Sequence, residues 1–440
     1  MLEKLPLELS DIILDVLRGL DRQAMTACSL VDHTWLGASR SHIFRDISID
    51  LSKDSVHDLP QGNIAKLGSI LVEFSKFLRD SPNISRQIRT LMLYHRSRKI
   101  ATVVTQIFSA PLRAILDLLR ILPNLNALKF RGITIKVPLL EVDGPLEFPS
   151  MTELAFICPI LGLSLYPDEI YGGPLQFSQL FPNLERLTVI GHLTKASGSI
   201  SLPLKVSHLH VSVAKNHPGG TVLKRLREAA TRKISIRSFA LDIYLHSQDL
   251  DVVGLFLMDA RNVLQHIHFH FHACIDTDMN HLNRDLPDTW KDLNLSRYTK
   301  LESLRITFTA LLVELEDIHD PNYFITVFPF WNAAMIVLGL LRSALPLLTL
   351  VFECESGNNS YLEQFMTRLP WDRLAKNLKG VKIGTLRFGW QCLGDEEYGC
   401  FTLVVWYRDI TASYRNTTIP HLYGLIFYRY PVTICLLFRY

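Results

Sequence analysis

The residues best placed to do chemistry are His266, His268, His270 and His272, which alternate within the tract Leu264–His272. On an extended chain alternate residues share a face, about 6.6 Å apart. Two imidazoles at that separation could share a metal ion. The residues between them, Ile267, Phe269 and Phe271, are apolar, as a strand with one buried face requires. The expectation is therefore solvent-facing strand histidines that contribute to recognition of a partner, with no metal and no cofactor. The acidic groups Glu314, Glu316 and Asp317, and Asp395, Glu396 and Glu397, lack the companions of a general-acid pair and read as loop or helix-end charge. No phosphate-cradling loop, dinucleotide fingerprint or nucleophile elbow occurs. The chain is expected not to be an enzyme. The enzymatic alternative is a metal- or ligand-dependent one centred on the histidine strand.

The elements that would hold such residues recur along the chain. A proline or polar turn is followed by L-x-x-L-x-hydrophobic, as in Leu122–Phe130, Phe148–Phe156 and, most clearly, Phe181–Val189. Related phrases lie at Arg89–Leu93, Val206–Val211, Ile236–Ile243, Leu264–Phe269, Leu301–Phe308, Leu345–Phe352 and Val381–Phe388. Helix-like stretches separate several of them: Pro111–Leu122, Val222–Thr231, Asp249–Asn262 and Trp331–Ala344. The spacing is irregular, roughly 22 to 45 residues, but persistent. A short strand with a returning helix, repeated, predicts a stacked parallel sheet in which neighbouring units bury each other's apolar faces. The predicted fold is thus α/β, an irregular leucine-rich-repeat-like solenoid with a curved parallel sheet over 86–400. Its leucines point into the core, and residues between them face a binding surface. Asn126, Lys129, Glu185, Arg186, Thr188, Arg305 and Thr307 are candidates on that surface. From these and the histidine strand, Glu185, Arg186, His266, His268, His270 and Arg305 are the residues expected to contact a target protein.

Residues 1–50 differ in character from the rest of the chain. Leu5, Leu9, Ile12, Ile13, Val16 and Leu17 form one apolar stripe at helical spacing. Pro6 suits the first turn, where its missing N–H has no partner to lose. A second helix is expected from Asp21 to Ser29, and a third around Trp35, Leu36, Ile43 and Phe44. Residues 51–85 read as a linker, and 401–440 as a terminal cap or a poorly ordered tail. Three short helices cannot bury a full core, so part of this apolar surface must meet another protein or the adjoining repeats.

The order Leu5-Pro6-Leu7-Glu8-Leu9, Ile12-Ile13-Leu14, Cys28-Ser29-Leu30-Val31, Trp35 and Arg40-Ser41-His42-Ile43-Phe44 resembles the F-box of basidiomycete fungal proteins. In that family degenerate leucine-rich repeats come after the motif. Val31-Asp32 departs from the Val-Cys usual in the general F-box. The resemblance implies a substrate-recruiting adaptor of a cullin-based ubiquitin ligase. Its partners would be the Skp subunit, bound through Leu5, Pro6, Leu9, Ile12, Ile13, Val31 and Trp35, the cullin scaffold, and an unidentified target protein held by the repeats. The alternative is a repeat scaffold for protein binding with no ubiquitin-ligase role, its first helices a cap on the solenoid.

Bulk properties bound these expectations. Across 440 residues, 46 basic side chains face 43 acidic ones, for a net charge of +3, which predicts neither a nucleic-acid nor a membrane-surface partner. The basic stretches Arg86–Lys99 and Lys224–Arg237 lack an aromatic stacking series and read as solvated faces. Seven scattered cysteines suggest neither a disulfide framework nor a zinc site, and place the chain in the reducing cytoplasm or nucleus. Met1–Pro6 does not read as a signal peptide. Pro321–Leu341 carries no charged side chain, yet holds Pro329, Asn332 and Gly339, and reads as a strand end, a turn and a buried helix.

Overall fold

The computed structural model describes residues 7–20, 22–30, 33–51, 64–95, 108–136, 148–157, 177–178, 180–190, 206–213, 223–224, 227, 235–244, 250–272, 295, 298–310, 329–341, 344–354, 371–378, 381, 383–392, 404–408 and 435–437. They form an α/β structure that divides into two compact units, Met1–Val206 and Ser207–Tyr440.

The first unit opens with three helices, α1 (Leu7–Leu20), α2 (Arg22–Cys28) and α3 (His33–Ile43), which pack on one another. Strand β1 (Asp46–Asp50) comes next. The span expected to be a linker instead contains α4 (Ile64–Asp80) and the single turn α5 (Pro82–Ser85). Leu71, Ser75 and Leu78 of α4 are buried at helical spacing, which gives that helix a reason to pack. The unit continues through β2 (Thr90–Tyr94), β3 (Phe108–Pro111), α6 (Leu112–Ile121), β4 (Ala127–Arg131), β5 (Ile133–Lys136), β6 (Glu153–Ile157) and β7 (Arg186–Ile190). In α6, Leu112, Ile115, Leu116, Leu118 and Leu119 are buried, and α4 lies against it.

Strands β1, β2, β4, β6 and β7 pair in that order, all parallel. Their register stacks Ile47, Leu91, Leu128, Leu154 and Leu187 in one row and Ile49, Leu93, Phe130, Phe156 and Val189 in the next. Apart from the half-buried Ile47 and Ile49 of β1, these rows are buried. Phe177 sets its ring edge-on against Phe130 and Phe156 and meets Phe181, closing an aromatic cluster. Burial of each such side chain stabilises by about 1.5–3 kcal/mol. Between β4 and β5 the chain turns through Gly132, whose φ of 68° lies in the left-handed region open to glycine; β5 pairs in parallel with β3.

The turns that enter these strands are tied together by side chains. Asn124 Nδ2 donates to Arg86 O at 2.7 Å, Ser150 Oγ to Pro123 O at 3.1 Å, and Asn183 Nδ2 to Pro149 O at 3.1 Å. Each donor lies just after a proline, and each acceptor lies in the preceding turn. The proline fixes the turn without a backbone donor, and the next side chain supplies one in its place.

The second unit contains β8 (His208–Val213), β9 (Ser238–Tyr244), α7 (Leu250–Ala260), β10 (His266–His272), β11 (Ser303–Ala310), α8 (Pro329–Gly339), β12 (Leu345–Cys354), α9 (Trp371–Leu378), β13 (Ile383–Cys392), β14 (Val404–Arg408) and β15 (Cys435–Leu437). Strands β8 to β13 pair in chain order and in parallel. Strand β14 runs antiparallel to β13, and β15 is parallel to β14. Leu209, Phe239, Ile267, Leu304, Leu348 and Leu386 share a buried row, and Phe256 of α7 packs its ring on Phe239. Within the uncharged stretch 321–341 the described residues include the 11-residue α8, in which Ala334, Met335, Val337 and Leu338 are buried. Among the described residues no helix is long and apolar enough to cross a membrane.

Candidate functional site

Two surfaces carry the residues singled out by sequence. The first is α1. Among its described side chains Ser10 and Leu14 are buried, one turn apart; α1 packs on α2 and α3, and Ser39 and His42 of α3 are buried as well. The apolar side points the other way: Leu9 is 47% exposed, Ile12 60%, Ile13 39% and Val16 57%. These values decide the character of the helix. A surface helix normally turns its apolar stripe inward; here Leu14 faces inward beside Ser10, while Leu9, Ile12, Ile13 and Val16 face outward. His42 Nδ1 and Arg45 Nη1 lie 3.7 and 3.6 Å from Asp15 Oδ1, which holds Asp15 at the C-terminal end of α3. Trp35 is half-buried on α3. Leu5, Pro6 and Val31 lie outside the described residues.

The second surface is the face of the β8–β13 sheet opposite the buried row. Here the register sets His210, Ala240, His268 and Arg305 in one row, and Ser212, Asp242, His270 and Thr307 in the next. The expectation that the strand histidines face solvent needs correcting for His268, which is half-buried, and above all for His270. Its Nδ1 lies 3.3 Å from Asp242 Oδ1 and its Nε2 3.1 Å from Glu353 Oε2. His210 Nε2 reaches the same Asp242 oxygen at 2.9 Å. Asp242 and Glu353 are buried, and Thr307 is fully buried. A carboxylate is rarely buried unless paired. The network spans β8, β9, β10 and β12, and His270 is its centre.

Two neighbouring imidazoles are pushed in opposite directions. Burial alone would lower the pKa of His270, but its hydrogen bonds to Asp242 and Glu353 and the charge of both carboxylates outweigh burial and raise it to about 9. His268 stacks on His270, ring centroids 5.8 Å apart. Burial, then the positive charge of Arg305, His270 and His210, lowers the pKa of His268 to about 3. At neutral pH, then, His270 is an imidazolium and His268 a neutral base. His268 Nε2 lies 2.8 Å from Thr307 Oγ1, which also accepts from Arg305 Nε at 3.3 Å. A hydroxyl beside a neutral imidazole has the chemistry of an activated nucleophile, but Thr307 is 0% exposed and no substrate could reach it. Among the described residues no group of three or more His, Cys, Asp or Glu is placed to hold a metal ion.

The other candidates lie apart from the His270 carboxylate contacts. His266 is half-buried, with Nδ1 2.9 Å from Ser303 Oγ, and Arg305 is exposed. His272 belongs to β10, one residue pair beyond the network. In the first unit Glu185 and Arg186 are exposed at the start of β7, and Arg186 Nη1 lies 3.6 Å from Glu153 Oε2, which also holds Lys129 Nζ at 2.8 Å. Those charges neutralise one another and leave no concentrated field. Sequence reasoning missed Asp242 and Glu353. Each occupies a position where strand alternation calls for an outward polar residue, and only the register brings them to His270. No protein-family model matches the chain, and no curated protein matches it.

Proposed function

We propose that this chain is a substrate-recruiting adaptor of a cullin-based ubiquitin ligase, its three N-terminal helices an F-box and its strand–helix units degenerate leucine-rich repeats. The observation that carries the reading is the outward stripe Leu9, Ile12, Ile13 and Val16 on α1. An apolar helical face of this kind is covered when a partner offers a groove, with anchors at i, i+3, i+4 and i+7. The residues of the stripe have that spacing. By the F-box resemblance the partner is the Skp subunit, with Leu5, Pro6, Val31 and Trp35 bordering the contact, and the cullin scaffold joins through it. The repeats then hold a target protein. The adaptor needs no chemistry of its own, since it acts by raising the effective concentration of the target near the ubiquitin thioester.

The test is co-purification of the full chain with the Skp subunit. Ile12→Asp places a charge in the middle of the stripe and is expected to weaken the complex by ~100-fold or more. Val72→Asp is the control, because Val72 is just as exposed, at 61%, but lies on α4. Retention of Skp by both variants, or by neither, would remove the reading.

A further inference from the structure

Several serine hydroxyls of the first unit are committed to the chain's own carbonyls. Ser29 Oγ donates to Thr26 O at 2.6 Å, Ser41 Oγ to Ala38 O at 2.7 Å and Ser85 Oγ to Pro82 O at 2.9 Å. Ser81 differs. It stands between α4 and α5, at the N-cap of α5, yet its side chain makes no capping hydrogen bond. Its φ of −128° and ψ of 64° lie outside the helical region, so the helical path is interrupted at this residue. Arg79, Asp80, Pro82 and Asn83 around it are exposed, and Ser81 itself is half-buried. Buried Leu78 and buried Ser85 bound this surface segment.

The residue that follows Ser81 is a proline. Ser81-Pro82 is the one Ser-Pro or Thr-Pro pair in a sequence with 21 prolines. Proline has no N–H. A kinase cleft with no acceptor opposite the position after the phosphorylated hydroxyl admits proline and penalises other residues, whose N–H would be buried unpaired. Such a cleft holds its substrate extended. What opposes extension here is one turn, in which Ile84 N and Ser85 N donate to Ser81 O at 3.0 and 3.2 Å. A lone turn gains few bonds for the order it imposes, so its local opening is a low-energy event.

From this placement we infer that Ser81, at the α4–α5 corner, is a phosphorylation site for a proline-directed serine/threonine kinase. Ser81 Oγ attacks the γ-phosphorus of ATP and its proton passes to the catalytic base of the kinase. The bond from the γ-phosphorus to the bridging oxygen breaks, and ADP leaves. The product carries a charge of about −2 on an exposed corner of the first unit. The site lies off the α1 stripe and does not rest on the adaptor reading.

The test is incubation of the full chain with magnesium ATP and a mitogen-activated protein kinase, with phosphate located by mass spectrometry. One phosphate per chain, on Ser81, is expected. Ser81→Ala should remove it and Ser81→Thr should keep it. Pro82→Ala should slow incorporation about tenfold. Because the Ser81 hydroxyl caps nothing, Ser81→Ala should melt with wild type by circular dichroism, which separates loss of the acceptor from loss of the fold. A wild-type chain that takes no phosphate, or takes it elsewhere with Ser81 unmodified, would overturn the assignment. So would equal rates for wild type and a folded Pro82→Ala, or incorporation that begins only as the chain melts. Ile12→Asp should be phosphorylated like wild type, so failure at Skp and failure at this site are told apart.

Discussion

Replacement of His270 by glutamine tests the ionic network most directly. In the folded chain the imidazole titrates near 9, against an ordinary value of 6.5. A group whose folded pKa is raised contributes stability that is complete below the unfolded pKa and is lost as pH rises through the folded one. Here the contribution is whole at pH 6.5 and gone above about pH 9. The shift corresponds to about 3 kcal/mol, and the low exposure of the His270, Asp242 and Glu353 side chains, at 18%, 5% and 10%, keeps solvent screening small. Removing the imidazolium also leaves two buried carboxylates without their shared counter-charge, a loss of about 3–5 kcal/mol in comparable buried pairs. The assay is urea unfolding, followed by circular dichroism, at intervals between pH 6.5 and 9.5. Wild-type protein is expected to lose about 3 kcal/mol across that range in excess of the variant. His270→Gln should be weaker by a similar amount at pH 6.5 and converge on wild type at pH 9.5. Parallel pH profiles for the two proteins would refute the reasoning, because a purely packing role for His270 carries no pH dependence.

On the acid side the sign reverses. His268, held near 3, resists a proton that the unfolded chain takes up near 6.5, so it costs stability as pH falls below 6.5. His268→Gln should therefore lose about 2 kcal/mol less than wild type between pH 6.5 and 5 in the same urea assay. The inside-out packing of α1 predicts a contrast in thermal melts: Leu14→Ala should cost about 2–4 kcal/mol, whereas Ile12→Ser should stay within about 0.5 kcal/mol of wild type. Asn124→Ala and Asn183→Ala each break one tie between successive turns and should each cost about 1 kcal/mol by denaturant midpoint, additively, because separate turns share no partner.

The strands were legible because their signal is local. In Phe181–Val189 the proline, the two leucines and Val189 declare turn, core and alternation within nine residues, and the structure has Leu184, Leu187 and Val189 buried. Helix α4 was not legible from composition. Ile64–Asp80 mixes Lys, Ser and Gly with its leucines, so the span passes for a linker until its buried positions are seen one turn apart. The stripe on α1 was readable as amphipathic, but not the direction it faces, which depends on what α3 offers; Ser39 and His42 supply a narrow polar seam there. The centre of the ionic network was least accessible. His210 meets Asp242 across 32 residues, and His270 meets Glu353 across 83. Nothing in the tract His266–His272 distinguishes His270 from its neighbours until the strands are in register.

The register on which the network depends is set by the apolar rows. In a parallel sheet a slip of one residue would turn every leucine outward, and the apolar pattern forbids it. A slip of two residues keeps the alternation. In β10 such a slip would exchange Phe269 for Ile267 or Phe271, a change an apolar core tolerates at modest cost. The polar face tolerates it as well. Moving β10 by two residues would carry His270 about 6.6 Å away but bring His268 or His272 opposite Asp242, so an imidazole stays beside the buried carboxylate. The hydrophobic rows thus select the face, and the fit of Phe269 between Leu241 and Ile306 separates registers two residues apart.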